Sequence, residues 1–395
     1  MIKILLFSFA FVMVFGCSKS EYQNTDIVAP DEIEIAAMKA AGLERYILES
    51  ESLQSVDEAV KSERGLVVRN MQAVSALVVY LPGPAIEHLK NRVADLKVTP
   101  DVELLGSPVV EMGKPGGGGT TPPSQVIPWG ISRIYARDAN VINQGAGITV
   151  CVVDSGIDKT HPDLINNIAG GKNFVTIKGR ILADNWNDDN GHGSHVAGTI
   201  AAEDNSIGVV GVAPKAKLFA AKVLDSRGSG FLSDVADGID ECVRVGARVI
   251  NMSLGSNGDP TAASPMLTAI LKAQAAGVVV VVAAGNEGQD IKNTIPAGYP
   301  TVIAVSALDS SDKFPSWSNF GLGDNDFAAP GVDIKSTWKG GTYNTISGTS
   351  MASPHVAGVV ALHLSAQSPA LKAIDLGFSV SEQGRGIIDA LGSAQ

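Results

Sequence analysis

A parallel α/β sheet flanked by helices is the fold class this sequence predicts, and three observations carry it. Apolar runs of strand length fall at 148–153, 217–223, 248–252, 278–283 and 302–305. Between them apolar residues recur at helical spacing over 194–202, 232–245 and 263–276. The valine run 278–282 shows no polar alternation, as expected of a strand covered on both faces, and it is too short to span a bilayer. Strands alternating with helices pack as βαβ units, and ligands of such sheets sit beyond the carboxyl ends of the strands.

Taken in order, the chain opens with a basic start, Met1-Ile2-Lys3, and an apolar run to Gly16. This predicts a signal peptide over residues 1–16, hence export. Gly16-Cys17 resembles the lipobox of bacterial lipoproteins, which implies lipidation of Cys17; bulky Phe15 departs from that pattern. The implied location is the bacterial cell envelope as a lipid-anchored precursor, or the extracellular space after processing. Residues 17–42 read as a polar linker.

Residues 43–112 then read strand, helix, two strands, helix, strand, with strands at 45–48, 66–68, 76–80 and 102–105. That βαββαβ order predicts a small α+β, ferredoxin-like unit. Gly and Pro dominate 113–124, a linker exposed to proteolysis, and 125–395 forms the large α/β domain.

With 41 acidic against 30 basic residues the chain is acidic, which excludes a nucleic-acid partner. Cys151 lies in an apolar strand and Cys242 in a helix. An exported chain permits a disulfide, but small buried thiols are common in such elements, and two free cysteines are expected.

Polar residues with chemical potential fall where strands end or helices begin. Asp154 follows the first strand of the large domain, in Val153-Asp154-Ser155-Gly156. His192 lies between glycines at a helix start, and His195 follows one turn later as a structural residue. Asn286 follows the valine strand in Ala283-Ala284-Gly285-Asn286-Glu287-Gly288. Ser350 opens a helix in Gly348-Thr349-Ser350-Met351-Ala352, where unpaired N–H groups favour a developing negative charge. Any one of these is an ordinary turn or cap residue. Together they supply an orienting carboxylate, a base, an oxyanion donor and a nucleophile for acyl transfer.

These motifs, with Asn251-Met252-Ser253-Leu254-Gly255 among them, stand in the order found in subtilisin-like serine proteases, and residues 125–395 resemble that family. Residues 43–105 resemble its inhibitory propeptide. The resemblance implies a secreted serine endopeptidase acting on proteins and peptides, a monomer made as a self-processing zymogen and inhibited by its own propeptide, with cleavage near Met112. Ser350 would be the nucleophile, His192 the base, Asp154 its orienting partner and Asn286 an oxyanion donor. Ser253, Leu254 and Gly255 would pair with extended substrate, while Ala283, Ala284 and Gly285 would wall the specificity pocket.

The resemblance also implies a structural Ca2+ site from Gln125, Asp163 and Asn205 with the carbonyls of Glu203, Ile207 and Val209. Thr294 stands where the family often has glycine, which predicts a shallow pocket. The competing class, a non-catalytic subtilase-like binding or scaffold protein of the envelope, would have lost a triad member, and this sequence keeps all three.

Overall fold

The computed structural model describes residues 32–106, 110–111, 122–175, 181–262 and 264–395. The signal peptide, Cys17, Met112 and most of the Gly/Pro linker therefore lie outside the described residues.

The first described element is a helix, α1 (Glu32–Ala40), within the stretch expected to be linker. Its Ile35 and Met38, spaced three apart, share a face and pack against a core that the small and large domains build together. Then follow β1 (Leu43–Glu49), α2 (Leu53–Ser62), β2 (Leu66–Met71), β3 (Ala76–Pro82), α3 (Ala85–Arg92) and β4 (Lys97–Pro100). The four strands form an antiparallel sheet in the order β2-β3-β1-β4.

Alternation along β3 divides its side chains between two cores. Leu77, Val79 and Leu81 pack with Val56, Val60 and Leu89 inside the small domain. Ala76, Val78 and Tyr80 turn the other way, into a core shared with Leu232, Ala236, Met266 and Ile270 of the large domain. The closing strand is 97–100 and not 102–105 as the sequence suggested. The Asp101 N–H makes the last bond to β1, at 3.0 Å from the Arg45 carbonyl, and its carboxylate turns to accept bonds from Ser233 of the large domain. The next residues, β5 (Glu103–Gly106), therefore leave the small sheet, and β6 (Val110–Glu111) follows.

The large domain carries β7 (Thr149–Asp154), β8 (Ile168–Asn173), β9 (Lys217–Lys222), β10 (Ser229–Phe231), β11 (Val249–Met252), β12 (Leu254–Asn257) and β13 (Val279–Ala283). It continues with β14 (Thr294–Ile295), β15 (Ile303–Leu308), β16 (Phe327–Pro330), β17 (Ile334–Trp338), β18 (Thr342–Ser347), β19 (Lys372–Ile374) and β20 (Ile387–Asp389). Its longer helices are α4 (His192–Ala201), α5 (Leu232–Arg244), α6 (Pro265–Ala275) and α7 (Thr349–Ala366). Nine strands form one sheet in the order β19-β20-β16-β15-β13-β11-β7-β9-β8, parallel except for the edge strand β19. The five predicted strands are β7, β9, β11, β13 and β15. The edge strand β8 was not foreseen, since Gly170 and Gly171 interrupt its apolar pattern.

One face of the sheet buries Val150 and Val152 against α4 and α7, and the other buries Cys151 and Val153 against α5 and α6. That second face overturns the expectation of free cysteines. Val235, Ile239 and Cys242 lie on the buried stripe of α5, and Cys242 is disulfide-bonded to Cys151 with 5.7 Å between Cα atoms.

Candidate active site

Strand ends and helix starts bring the predicted residues to one edge of the sheet. Asp154 is the last residue of β7 and fully buried. His192 is the first residue of α4, and its Nδ1 lies 2.8 and 2.9 Å from the two Asp154 oxygens. Nδ1–H therefore donates to Asp154, leaving Nε2 as the basic nitrogen, which makes no hydrogen bond to a described residue. Burial opposes protonation of this ring, but the charges of Asp154 and Asp188 outweigh it and raise its pKa.

Ser350 is the second residue of α7, so its N–H is among those with no intrahelical acceptor. Its hydroxyl donates to the Ser253 carbonyl at 3.1 Å. Ser253 follows Met252, which pairs with Val153, so the residue that receives the nucleophile's hydroxyl and the carboxylate stand at the same carboxyl edge of neighbouring strands. The Ser253 hydroxyl bonds to α7, donating to the Ser350 carbonyl at 3.1 Å and lying 2.9 Å from the Ser353 hydroxyl. Asn286 follows β13, and its Oδ1 accepts the Thr349 N–H and hydroxyl, each at 2.9 Å. These contacts fix the amide plane and set Nδ2 toward Gly348, where an added Cβ would come within 3.2 Å of it.

His195, expected to be structural, lies 2.9 Å through Nε2 from the Ile334 carbonyl. Burial pulls its pKa down to about 3.

The cleft beside these residues holds the chain's own segment. β5 pairs antiparallel with β10 on one side and β12 on the other, setting Leu104 against Gly230, Leu105 against Gly255 and Gly106 against Leu254. Leu104 is fully buried, and a Cβ placed on Gly106 would stand 3.8 Å from His192 Nδ1. Farther along, β6 pairs with β18, Val110 against Ser347 and Glu111 against Ile346, immediately before the Gly348-Thr349-Ser350 turn. Next to β5 lies a pocket of ≈ 170 Å³ lined by Gly255, Ala283, Ala284, Gly285 and Thr294 among others. Thr294 is buried there, its hydroxyl donating to the Ile291 carbonyl at 2.9 Å.

A subtilase-family model matches residues 145–376, more than half of the chain. The chain belongs to the subtilase family. Among relatives of this subtilase, subtilisin NAT of Bacillus subtilis subsp. natto is 48% identical over 246 residues, 61% of this chain and 62% of that protein. Subtilisin of Bacillus pumilus is 47% identical over 61% of this chain and 86% of its own length. Subtilisin Savinase of Lederbergia lenta is 47% identical over 60% and 84% respectively. The matched stretch thus spans less than two thirds of subtilisin NAT.

The residues expected to hold calcium also converge. The buried Asp163 carboxylate accepts from Asn205 Nδ2 and Val209 N–H, each at 2.9 Å. Gln125 reaches the Glu203 carbonyl at 3.0 Å and the Val209 carbonyl at 3.4 Å. Ile207 sits in the same loop, its N–H donating to Asn205 Oδ1 at 2.7 Å. Burial lifts the Asp163 pKa to about 6. A Cβ on Gly208, whose φ is +62°, would come within 2.4 Å of Asp163, so the loop closes on the carboxylate only with glycine there.

Sequence reasoning missed Asp188, Ser155 and Thr349 as parts of this site. Their signal was position: a carboxylate or hydroxyl within four residues of His192, Asp154 or Ser350.

Proposed function

We propose that the chain is a secreted serine endopeptidase that cleaves proteins through an acyl-enzyme on Ser350 and is made as a self-processing zymogen. The observation carrying this reading is the pairing of Asp154 with His192 Nδ1 at the edge where Ser350 begins α7. In the reaction His192 Nε2 takes the Ser350 hydroxyl proton as the oxygen attacks the scissile carbonyl, and later returns it to the leaving amine. Asp154 keeps the ring in the required tautomer and stabilises the imidazolium. The Ser350 N–H and Asn286 Nδ2 hold the oxyanion. Substrate enters as a strand between β10 and β12, so main-chain bonds to Leu254 and Gly255 supply most of the recognition.

The zymogen reading is supported by β5, which fills that strand position, and by β6, which lies past the nucleophile. The processed bond would then fall between Gly106 and Val110, upstream of the expected Met112. Thr294 shortens the pocket, favouring modest apolar side chains over large aromatic ones. Ca2+ would be held by the Asp163 carboxylate, the carbonyls of Glu203, Ile207 and Val209 and the Gln125 and Asn205 amide oxygens, an all-oxygen set once those two amides turn their NH2 groups away from Asp163 and the carbonyls. Bound there, it would brace the loop and neutralise Asp163.

Four measurements test this. A serine-directed phosphonate should abolish casein hydrolysis, Ser350→Ala should remain an unprocessed precursor, and a calcium chelator should lower the melting temperature before it touches chemistry. A peptide series should rank alanine or leucine above phenylalanine before the scissile bond. Hydrolysis that ignores the phosphonate, or a normally processed Ser350→Ala chain, would refute the proposal.

A further inference from the structure

We propose that Asp188 is a positioning residue for proton transfer at His192, its carboxylate joining the start of α4 and the turn after β7 into one unit. This rests on the endopeptidase reading above. Asp188 is 3% exposed and accepts five hydrogen bonds. Oδ1 takes the Ser155 hydroxyl at 2.9 Å, the Asn190 N–H at 3.0 Å and the Gly191 N–H at 2.8 Å. Oδ2 takes the Ser194 N–H at 2.9 Å and the Ser194 hydroxyl at 2.6 Å.

Both hydroxyls pass the connection on. Ser155 Oγ accepts the Gly193 N–H at 2.9 Å, while the Ser155 N–H donates to Asp154 Oδ1 at 2.7 Å. Ser194 Oγ accepts the Asp158 N–H at 2.9 Å. The residues on either side of His192 and the residue after Asp154 thus answer to one carboxylate. Close packing leaves them little room to shift. A Cβ on Gly191 would meet the Trp338 ring at 2.4 Å, and one on Gly193 would meet the Gly156 carbonyl oxygen at 2.1 Å.

All five partners are donors, a set matched to a carboxylate and not to a carboxamide, which would turn an N–H toward some of them. The charge also reaches the ring. Around His192 stand Asp154 from β7, Asp188 from the preceding loop and His195 one turn on. Beyond them Lys222 from β9 is held by the Ser155 and Leu224 carbonyls and by Asp189. Asp188 acts with Asp154 to raise the ring's proton affinity.

The test is Asp188→Asn in the full chain, with competent sites counted by a serine-directed phosphonate. Per titrated site, kcat should fall by about 100-fold with KM within about 2-fold, the mark of lost alignment and not lost binding. The acid limb of the kcat/KM profile should move to lower pH, because removing a negative charge lowers the His192 pKa. A kcat per site within about 2-fold of the parent, with the limb in place, would overturn the proposal even if the melting temperature dropped. If Asp188→Asn yields no titratable enzyme, Ser155→Ala removes the relay to Gly193 and keeps the charge. It should lower kcat per site by about 10-fold without moving the limb, and an unchanged kcat would overturn the proposal. A parent chain with no peptidase activity would instead reject the endopeptidase reading.

Discussion

The rim around His192 and the interface between the two domains both bury carboxylates, and they satisfy them in opposite ways. At the rim, Asp154 and Asp188 accept bonds from their own domain: His192, backbone N–H groups and serine hydroxyls. At the interface, Asp234 and Asp237 of α5 are matched by Arg69 of the small domain, with 3.1 Å from Nη1 to Asp237. Beside them Arg45 pairs with Asp101 at 2.7 Å and lies 3.8 Å over the Phe231 ring. The rim is complete within the large domain, whereas Asp234 and Asp237 have the Arg69 cation only while the small domain is docked. Under the proposed self-processing, a large domain that outlasts its N-terminal domain needs that division.

The largest test of this contrast removes one partner from the interface. Arg69→Ala leaves Asp234 buried and Asp237 half-buried without their cation, which destabilises by about 3 kcal/mol. On a Ser350→Ala background, which under the proposed self-processing stays in one piece, the melting temperature of the docked small domain should drop accordingly. A melting temperature unchanged by Arg69→Ala would mean that apolar contacts such as Tyr80 and Val78 carry the docking.

The same contrast explains what the sequence revealed. The rim was legible because each of its motifs is local: Asp154 ends a strand, His192 and Ser350 open helices, and Asn286 follows the valine run. Four residue types at four element ends need no knowledge of how the elements pack. Arg69 with Asp234 was not legible, because the two lie 165 positions apart and each reads as a solvated surface charge. The path of 97–106 was ambiguous for a similar reason. Alternating apolar residues mark a strand but do not say which sheet it joins, and β4 and β5 join different ones. Asp188 was visible only as one acid in a polar loop, since its role comes from five donors that converge after folding.

The disulfide connects the two regions and gives the next test. Cys151 stands three residues before Asp154 on β7, while Cys242 lies on the helix that presents Asp234 and Asp237. It closes a separation of 91 residues, so losing it frees the unfolded chain. Replacing both cysteines with alanine should cost about 2–4 kcal/mol of stability. The rim's hydrogen bonds do not pass through either sulfur, so kcat per titrated site should hold. A fall in kcat matching the fall in stability would show that the two regions are less separate than their bonding suggests.

The smallest effect is also the one whose sign is least intuitive. Asp237 faces Arg69, Asp234 and Asp240, and burial lifts its pKa to about 6 even though Arg69 opposes the shift. Burial raises Asp101 and Asp240 as well. An acid with a folded pKa above its unfolded value, about 3.9 for Asp, binds an extra proton on folding. Its contribution is therefore full below about pH 4 and is lost as pH rises through about 6. Asp237→Asn imitates the protonated form at every pH. In the Ser350→Ala chain it should match its parent near pH 4 and gain on it as pH rises toward 7. If the parent stays ahead at pH 7, pairing with Arg69 outweighs desolvation, and the interface stores its charges as the rim does.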